Sequence, residues 1–99
     1  MTQPLTGVRI LDLSQMLAGP YGTMILGDLG AEIIKIEKPG EGEIGRGMPP
    51  HFFHGESVYF LSVNRNKQSL TLDLKAKEGL DIFYRLVKVS DVVYDNFRP

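Results

Sequence analysis

The segment from Val8 to Glu37 constrains this chain most. It opens with Val8-Arg9-Ile10-Leu11-Asp12-Leu13, a short aliphatic run bounded by Gly7 and Ser14. That run reads as a buried strand. Gly19-Pro20 follows, and proline suits the first position of a helix, where its missing N–H leaves no bond unmade. Tyr21, Met24, Ile25 and Leu29 then recur at helical spacing, and Gly30 supplies a C-terminal stop. Ala31 to Glu37 is a second strand, carrying Ile33, Ile34 and Ile36. Its nearly continuous apolar run fits a strand covered on both faces, as in a parallel sheet. The whole is a β-α-β crossover of about 30 residues. Gly22 and Gly27 lie inside the helix, each costing about 1 kcal/mol relative to alanine. Such a cost points to something packed close against it.

Pro39 to His54 breaks the periodicity with four glycines and the Pro49-Pro50 pair, and reads as a long loop. Ser57 to Val63 reads as a strand or a short helix. Leu70, Leu72 and Leu74 alternate with Thr71 and Asp73, which predicts a strand. Leu80, Phe83, Tyr84 and Val87 predict a second helix, and Val92 and Val93 a last strand over 91–97. The order β-α-β, loop, β-α-β argues for an α/β fold, a Rossmann-like and mostly parallel sheet. The chain stops at Pro99, directly after a strand that such a sheet normally continues into a helix. An N-terminal part of a longer protein is therefore expected, incomplete at its C-terminus.

Composition removes several classes. The formal charge is −1, with no polybasic patch, so nucleic acid is not an expected partner. With no cysteine there is no disulfide framework, no thiolate zinc site and no cysteine nucleophile. No apolar run is long enough for a membrane span, and Met1 to Thr6 has no leader-like pattern. A cytoplasmic protein is the expectation.

Gly40-Glu41-Gly42-Glu43-Ile44-Gly45 matches G-x-G-x-x-G in letters only. That motif works between a strand and a helix N-terminus, where free amides meet pyrophosphate. Here two acidic side chains sit inside it and Pro49-Pro50 follow, so it reads as a flexible loop. The turn from Ser14 to Pro20 is better placed, since ligands of open α/β sheets bind at the carboxyl ends of strands. Asn64-Arg65-Asn66-Lys67 reads as a polar turn whose two cations are solvated or meet an anion. His51 and His54 lack partners for a metal site, and none is expected. Asp12, in a buried strand, needs an internal hydrogen-bond partner.

Three blocks are more specific together than any of these alone. The first runs from Gly7 to Leu13, through Leu17-Ala18-Gly19-Pro20, to Leu26-Gly27-Asp28-Leu29-Gly30-Ala31-Glu32-Ile33-Ile34-Lys35-Ile36-Glu37. The second is Asn64 to Lys75, and the third Asp91 to Pro99. In order and spacing they resemble the class III CoA-transferases, the superfamily that also holds formyl-CoA transferases, carnitine CoA-transferases and α-methylacyl-CoA racemases.

The resemblance implies that residues 1–99 are the N-terminal part of a CoA-binding domain. The full protein would be an interlocked homodimer moving CoA from an acyl-CoA to a carboxylic acid. An aspartate nucleophile would form mixed anhydrides and an aspartyl-CoA thioester, dividing the exchange into easier steps. That aspartate lies beyond Pro99 in the family, so no catalytic residue is assigned within this chain.

By matching positions, the resemblance places Leu17 and Ala18 beside the thioester and Lys38 near the nucleotide phosphates. It places Leu72, Asp73, Leu74 and Lys75 around the adenosine, and Asn96, Phe97 and Arg98 near the pantetheine arm. Leu17 stands where formyl-CoA transferases carry glutamine, which speaks against that subgroup and resembles members using succinyl-CoA and other dicarboxylic or branched acids. Two other readings stay open: a racemase, and a non-catalytic binding or structural piece. Asn64-Arg65-Asn66-Lys67 leans toward a transferase over a racemase. Ala76 replaces the usual capping residue before the second helix, a loss of about 1 kcal/mol.

Overall fold

A computed structural model describes residues 2–99. Strand β1 (Arg9–Asp12), helix α1 (Ala18–Asp28) and strand β2 (Glu32–Glu37) form the first crossover. A 3₁₀ turn (Ile44–Gly47), a short hairpin of β3 (Phe52–Phe53) and β4 (Glu56–Ser57), and helix α2 (Val58–Ser62) follow. Strand β5 (Lys67–Thr71), helix α3 (Lys77–Lys88) and strand β6 (Val92–Tyr94) complete the order. The main sheet runs β5-β2-β1-β6, every pairing parallel. That is the order 3-2-1-4 of a doubly wound sheet, whose direction of winding reverses between β1 and β6.

The α1 face of the sheet is divided along its length. Ile10, Ala31 and Ile33 form an apolar cluster, joined by Leu5, Val8, Leu26 and Tyr94. Toward the carboxyl ends the same alternation brings Asp12, Lys35, Glu37 and Ser69 onto that face, and Lys67, level with Ile33 at the start of β5, shares it. The close packing expected at the helix glycines is present. A methyl on Gly22 would lie 2.6 Å from the Tyr94 hydroxyl, and one on Gly27 would lie 3.2 Å from Ile33. Gly30 takes φ +106°, the left-handed stop after α1.

Several boundaries differ from the sequence reading. Helix α1 begins at Ala18, two residues before Pro20, because the preceding turn delivers the chain already in helical geometry at Leu17. The Ser57–Val63 segment resolves as a helix, with the Ser57 hydroxyl accepting from the Phe60 amide. The third parallel strand spans Lys67–Thr71 instead of Leu70–Leu74. Asn66, at φ +65°, turns the chain so that pairing with β2 starts at Lys67, and Leu72 to Lys75 fall in the turn beyond. The first and last strands are shorter than expected, at Arg9–Asp12 and Val92–Tyr94. Helix α3 has Ala76 at its cap position and no capping side chain, as the sequence implied.

Candidate functional site

The carboxyl ends of all four parallel strands open onto one cavity of about 230 Å³. Leu13 follows β1, Ile36 and Glu37 end β2, Leu72 to Lys75 follow β5, and Phe97 follows β6. Gln15 and Lys38 complete the lining. Apolar walls with a few charged groups at the rim are the usual make-up of a small-molecule site. The turn after β5 is shaped by Asp73, whose carboxylate accepts from the Lys75 amide at 3.0 Å. Gly79, in the first turn of α3, packs so tightly on the Asp73 carbonyl that a methyl there would overlap it.

Next to the cavity, and sharing Glu37 with it, lies a set of mostly buried charges. Asp12 is fully buried, and its carboxylate accepts from the Ser14 amide at 2.8 Å and from the Ser14 and Thr23 hydroxyls. The Lys67 ammonium sits 3.2 Å from the same carboxylate and donates to Asn64 Oδ1 and the Pro20 carbonyl. Burial pushes the Lys67 ammonium toward its neutral form, against the opposing pull of Asp12. Lys35, 2% exposed, donates to the Ser14 carbonyl at 3.2 Å and lies 3.7 Å from Glu43. Glu37 takes two bonds from Arg46, at 2.6 and 2.8 Å, plus one from the Ser69 hydroxyl. Burial raises its pKa, but Arg46, Ser69 and the Glu43 amide outweigh that and hold it down at about 2. Arg46 also stacks over the Phe60 ring at 4.1 Å.

Most of these side chains reach one place, the turn between β1 and α1. Ser14 is held at its amide by Asp12 and at its carbonyl by Lys35. The Asn96 carboxamide accepts from the Gln15 amide at 2.9 Å and donates to its carbonyl at 2.8 Å. Glu43 accepts from the Met16 amide at 2.6 Å. Met16 itself sits at φ +71°, a left-handed conformation that needs its surroundings to hold it.

Of the ten residues the sequence singled out, Lys38, Leu72, Asp73, Leu74, Lys75 and Phe97 line the cavity. Leu17, Ala18, Asn96 and Arg98 do not. Leu17 and Ala18 open α1, Leu17 being about half exposed, and Asn96 is engaged with Gln15. The solvated alternative for the cations of Asn64-Arg65-Asn66-Lys67 is corrected for Lys67, which is buried, while Arg65 stays exposed and meets an anion. Arg65 pairs with Asp28 at 2.6 Å, and Lys67 is drawn under α1 by Asp12. Lys35, Glu43 and Arg46 carried no expectation, although Ile33-Lys35-Glu37 fall on one face by strand alternation. The loop from Pro39 contains a 3₁₀ turn, with Glu43 accepting from Gly45 at 3.0 Å. Among the described residues no group of three or more His, Asp or Glu could hold a metal ion, and no helix is long and apolar enough to cross a membrane.

The family model for CoA-transferase family III matches residues 5–99. The chain belongs to CoA-transferase family III. Within the family it is 53% identical over 97 residues to succinyl-CoA:glutarate CoA-transferase of Mus musculus, covering 98% of this chain and 22% of that one. It is 44% identical over 99 residues to formyl-CoA:oxalate CoA-transferase of Bradyrhizobium diazoefficiens, covering 100% and 23%. Among solved structures, the D175A mutant of Rv3272 from Mycobacterium tuberculosis superposes with a TM-score of 0.89 at 43% identity, covering 99% of this chain and 26% of that one. A CaiB/BaiF family protein from Brucella suis gives 0.88 at 40% identity, covering 98% and 26%. The chain thus spans about a quarter of the length of these family III relatives. The Rossmann-like, mostly parallel fold expected from the sequence is the fold of this family.

Proposed function

We propose that this chain is part of the CoA-binding domain of an enzyme that moves CoA from succinyl-CoA to a carboxylic acid. The observation that carries the reading is the cavity at the reversal point of a family III sheet, lined by Lys38, Leu72 to Lys75 and Phe97. Lys38 and Lys75 offer positive charge to the phosphates of the substrate. Leu13, Ile36, Leu72, Leu74 and Phe97 offer apolar wall to its adenosine and pantetheine parts. Leu17 and Ala18 lie on the turn assigned to the thioester end, and an apolar Leu17 is compatible with a succinyl donor. The succinyl-CoA:glutarate and succinyl-CoA:mesaconate enzymes among the relatives, at 53% and 48% identity, support that donor.

The chemistry proposed follows the family. A carboxylate of the enzyme attacks the thioester carbonyl and expels CoA as thiolate, leaving a mixed anhydride. The thiolate then attacks the enzyme's own acyl carbon, releasing the donor acid and forming an aspartyl-CoA thioester. The acceptor acid reverses these steps. None of the aspartates here matches the family's nucleophile position. Asp12 is unsuited by its surroundings, since its oxygens are committed to Ser14, Thr23 and Lys67. By the resemblance to the family, the nucleophile belongs to sequence beyond residue 99, in a protein that we take to be a homodimer in the cytoplasm.

The test uses the full-length gene product, succinyl-CoA and a panel of carboxylic acids. Transfer of CoA to at least one acid is expected. No transfer together with no CoA retention would overturn the reading, while exchange of the α-hydrogen of a branched acyl-CoA for deuterium would identify a racemase instead.

A further inference from the structure

The Glu43 side chain links two segments that the sequence separates widely. It leaves the loop after β2, is 5% exposed, and crosses to the turn after β1. Its Oε1 accepts from the Met16 amide at 2.6 Å and from the Gly45 amide at 3.0 Å. Its Oε2 has no hydrogen-bond partner and faces the Lys35 ammonium at 3.7 Å. Met16 holds φ +71° directly before Leu17, the cap residue of α1. A left-handed methionine costs free energy and persists only where neighbours fix it. The Met16 amide makes its bond to Glu43, while Asn96 donates to the carbonyl of the same peptide, so this carboxylate is the one side chain that bonds the amide of the strained residue itself.

We infer that Glu43 is a positioning residue for the Ser14–Ala18 turn: it fixes Met16 in the left-handed conformation and thereby sets where Leu17 and Ala18 stand, on the turn that the family resemblance assigns to the thioester end. Lys35 is the partner that makes a buried anion tolerable there, and its own bond to the Ser14 carbonyl ties the same turn from the other side. The charged groups facing Glu43 are Lys35 from β2 and, further off, Lys67 from β5, Arg46 from the 3₁₀ turn and Glu37 beyond Arg46. The consequence for turnover rests on the transferase reading; the consequence for the turn does not.

The experiment uses the full-length protein and two variants. Glu43→Ala removes acceptor and charge. Glu43→Asp keeps the charge beside Lys35 but is one methylene too short to reach Met16. In both, amide hydrogen exchange at Met16 should quicken by about tenfold or more while β2 stays unchanged. The kcat for CoA transfer should fall about tenfold or more, because a misplaced turn misaligns the reacting groups. The Kd for CoA should move less than about threefold, since Lys38 and Leu72 to Lys75 are untouched.

Unchanged Met16 exchange in a folded variant would overturn the inference. Faster exchange with unchanged kcat would overturn its catalytic part, as would an equal loss of CoA affinity and turnover. If Glu43→Ala does not fold, Glu43→Asp decides alone. A wild-type protein that transfers no CoA removes the proposed function, and the exchange measurement still judges whether Glu43 holds the turn.

Discussion

The Lys67 ammonium reaches past β2 to the Asp12 carboxylate, 3.2 Å away, with both side chains 2% exposed or less. Strands β5 and β1 are not neighbours in the sheet, so this pair ties the sheet together across an intervening strand. Removing one partner strands a charge, which typically costs about 3–5 kcal/mol. Lys67→Met in the full-length protein should therefore lower the urea midpoint strongly, as should Asp12→Asn. The double variant should lose less than the sum of the two, the mark of a shared interaction. Simple additivity would contradict the pairing.

Glu37 predicts an acid-sensitive step. Its carboxyl is held at about 2 in the fold against an ordinary value of 4.5. A depressed pKa gives stability that is full above the unfolded value and drains as pH falls toward the folded one. The loss should run from pH 4.5 down to about 2 and reach about 3 kcal/mol at the foot. Glu37→Gln should be less stable at neutral pH and flatter across that window, measured by unfolding at a series of pH values. An unaltered acid limb would contradict the assignment.

Gly79→Ala should destabilise, although alanine is the better helix former by about 1 kcal/mol. The added methyl meets the Asp73 carbonyl, a backbone atom that cannot turn aside. The strain falls on the Leu72–Lys75 turn, so CoA affinity should drop together with thermal stability. A stabilised variant with full affinity would show that the turn is looser than described.

Lys38→Ala and Lys75→Ala should each weaken CoA binding by about 1 kcal/mol or more, near fivefold, as expected for exposed charge-assisted contacts. The losses should shrink at high salt, where the charges are screened. Phe97→Ala should weaken binding at low and high salt alike, because its contribution is apolar burial. Calorimetry of the full-length protein at two ionic strengths measures all three.

The first crossover was legible because each signal in it is local and agrees with the rest. An aliphatic run, Gly19-Pro20, a helical spacing and Gly30 all say one thing. The third parallel strand was displaced by three residues for an instructive reason. Leu70, Leu72 and Leu74 have strand parity, but only Leu70 lies in β5, while Leu72 and Leu74 are spent on the cavity wall. The polar residues that do fill β5, Lys67 and Ser69, face Asp12 and Glu37, and their solvent-like character hid the strand. The buried charges were not visible for the same reason. A lysine in a strand reads as a water-facing residue until its partner on another strand is known. The cavity residues were reached through the family blocks and the position of strand ends, not through any single motif.

The turn after β1 is shaped by side chains that lie outside it. Asp12, Lys35, Glu43, Lys67 and Asn96 grip its backbone amides and carbonyls, from Ser14 to Pro20, and no side chain of Gln15, Met16 or Leu17 contributes to that grip. The instructions for the loop's path are thus written elsewhere in the chain. The side chains of Gln15, Met16 and Leu17 are left free of that task, so a descendant of this protein can exchange Leu17 for a residue of different reach or polarity and inherit the same frame.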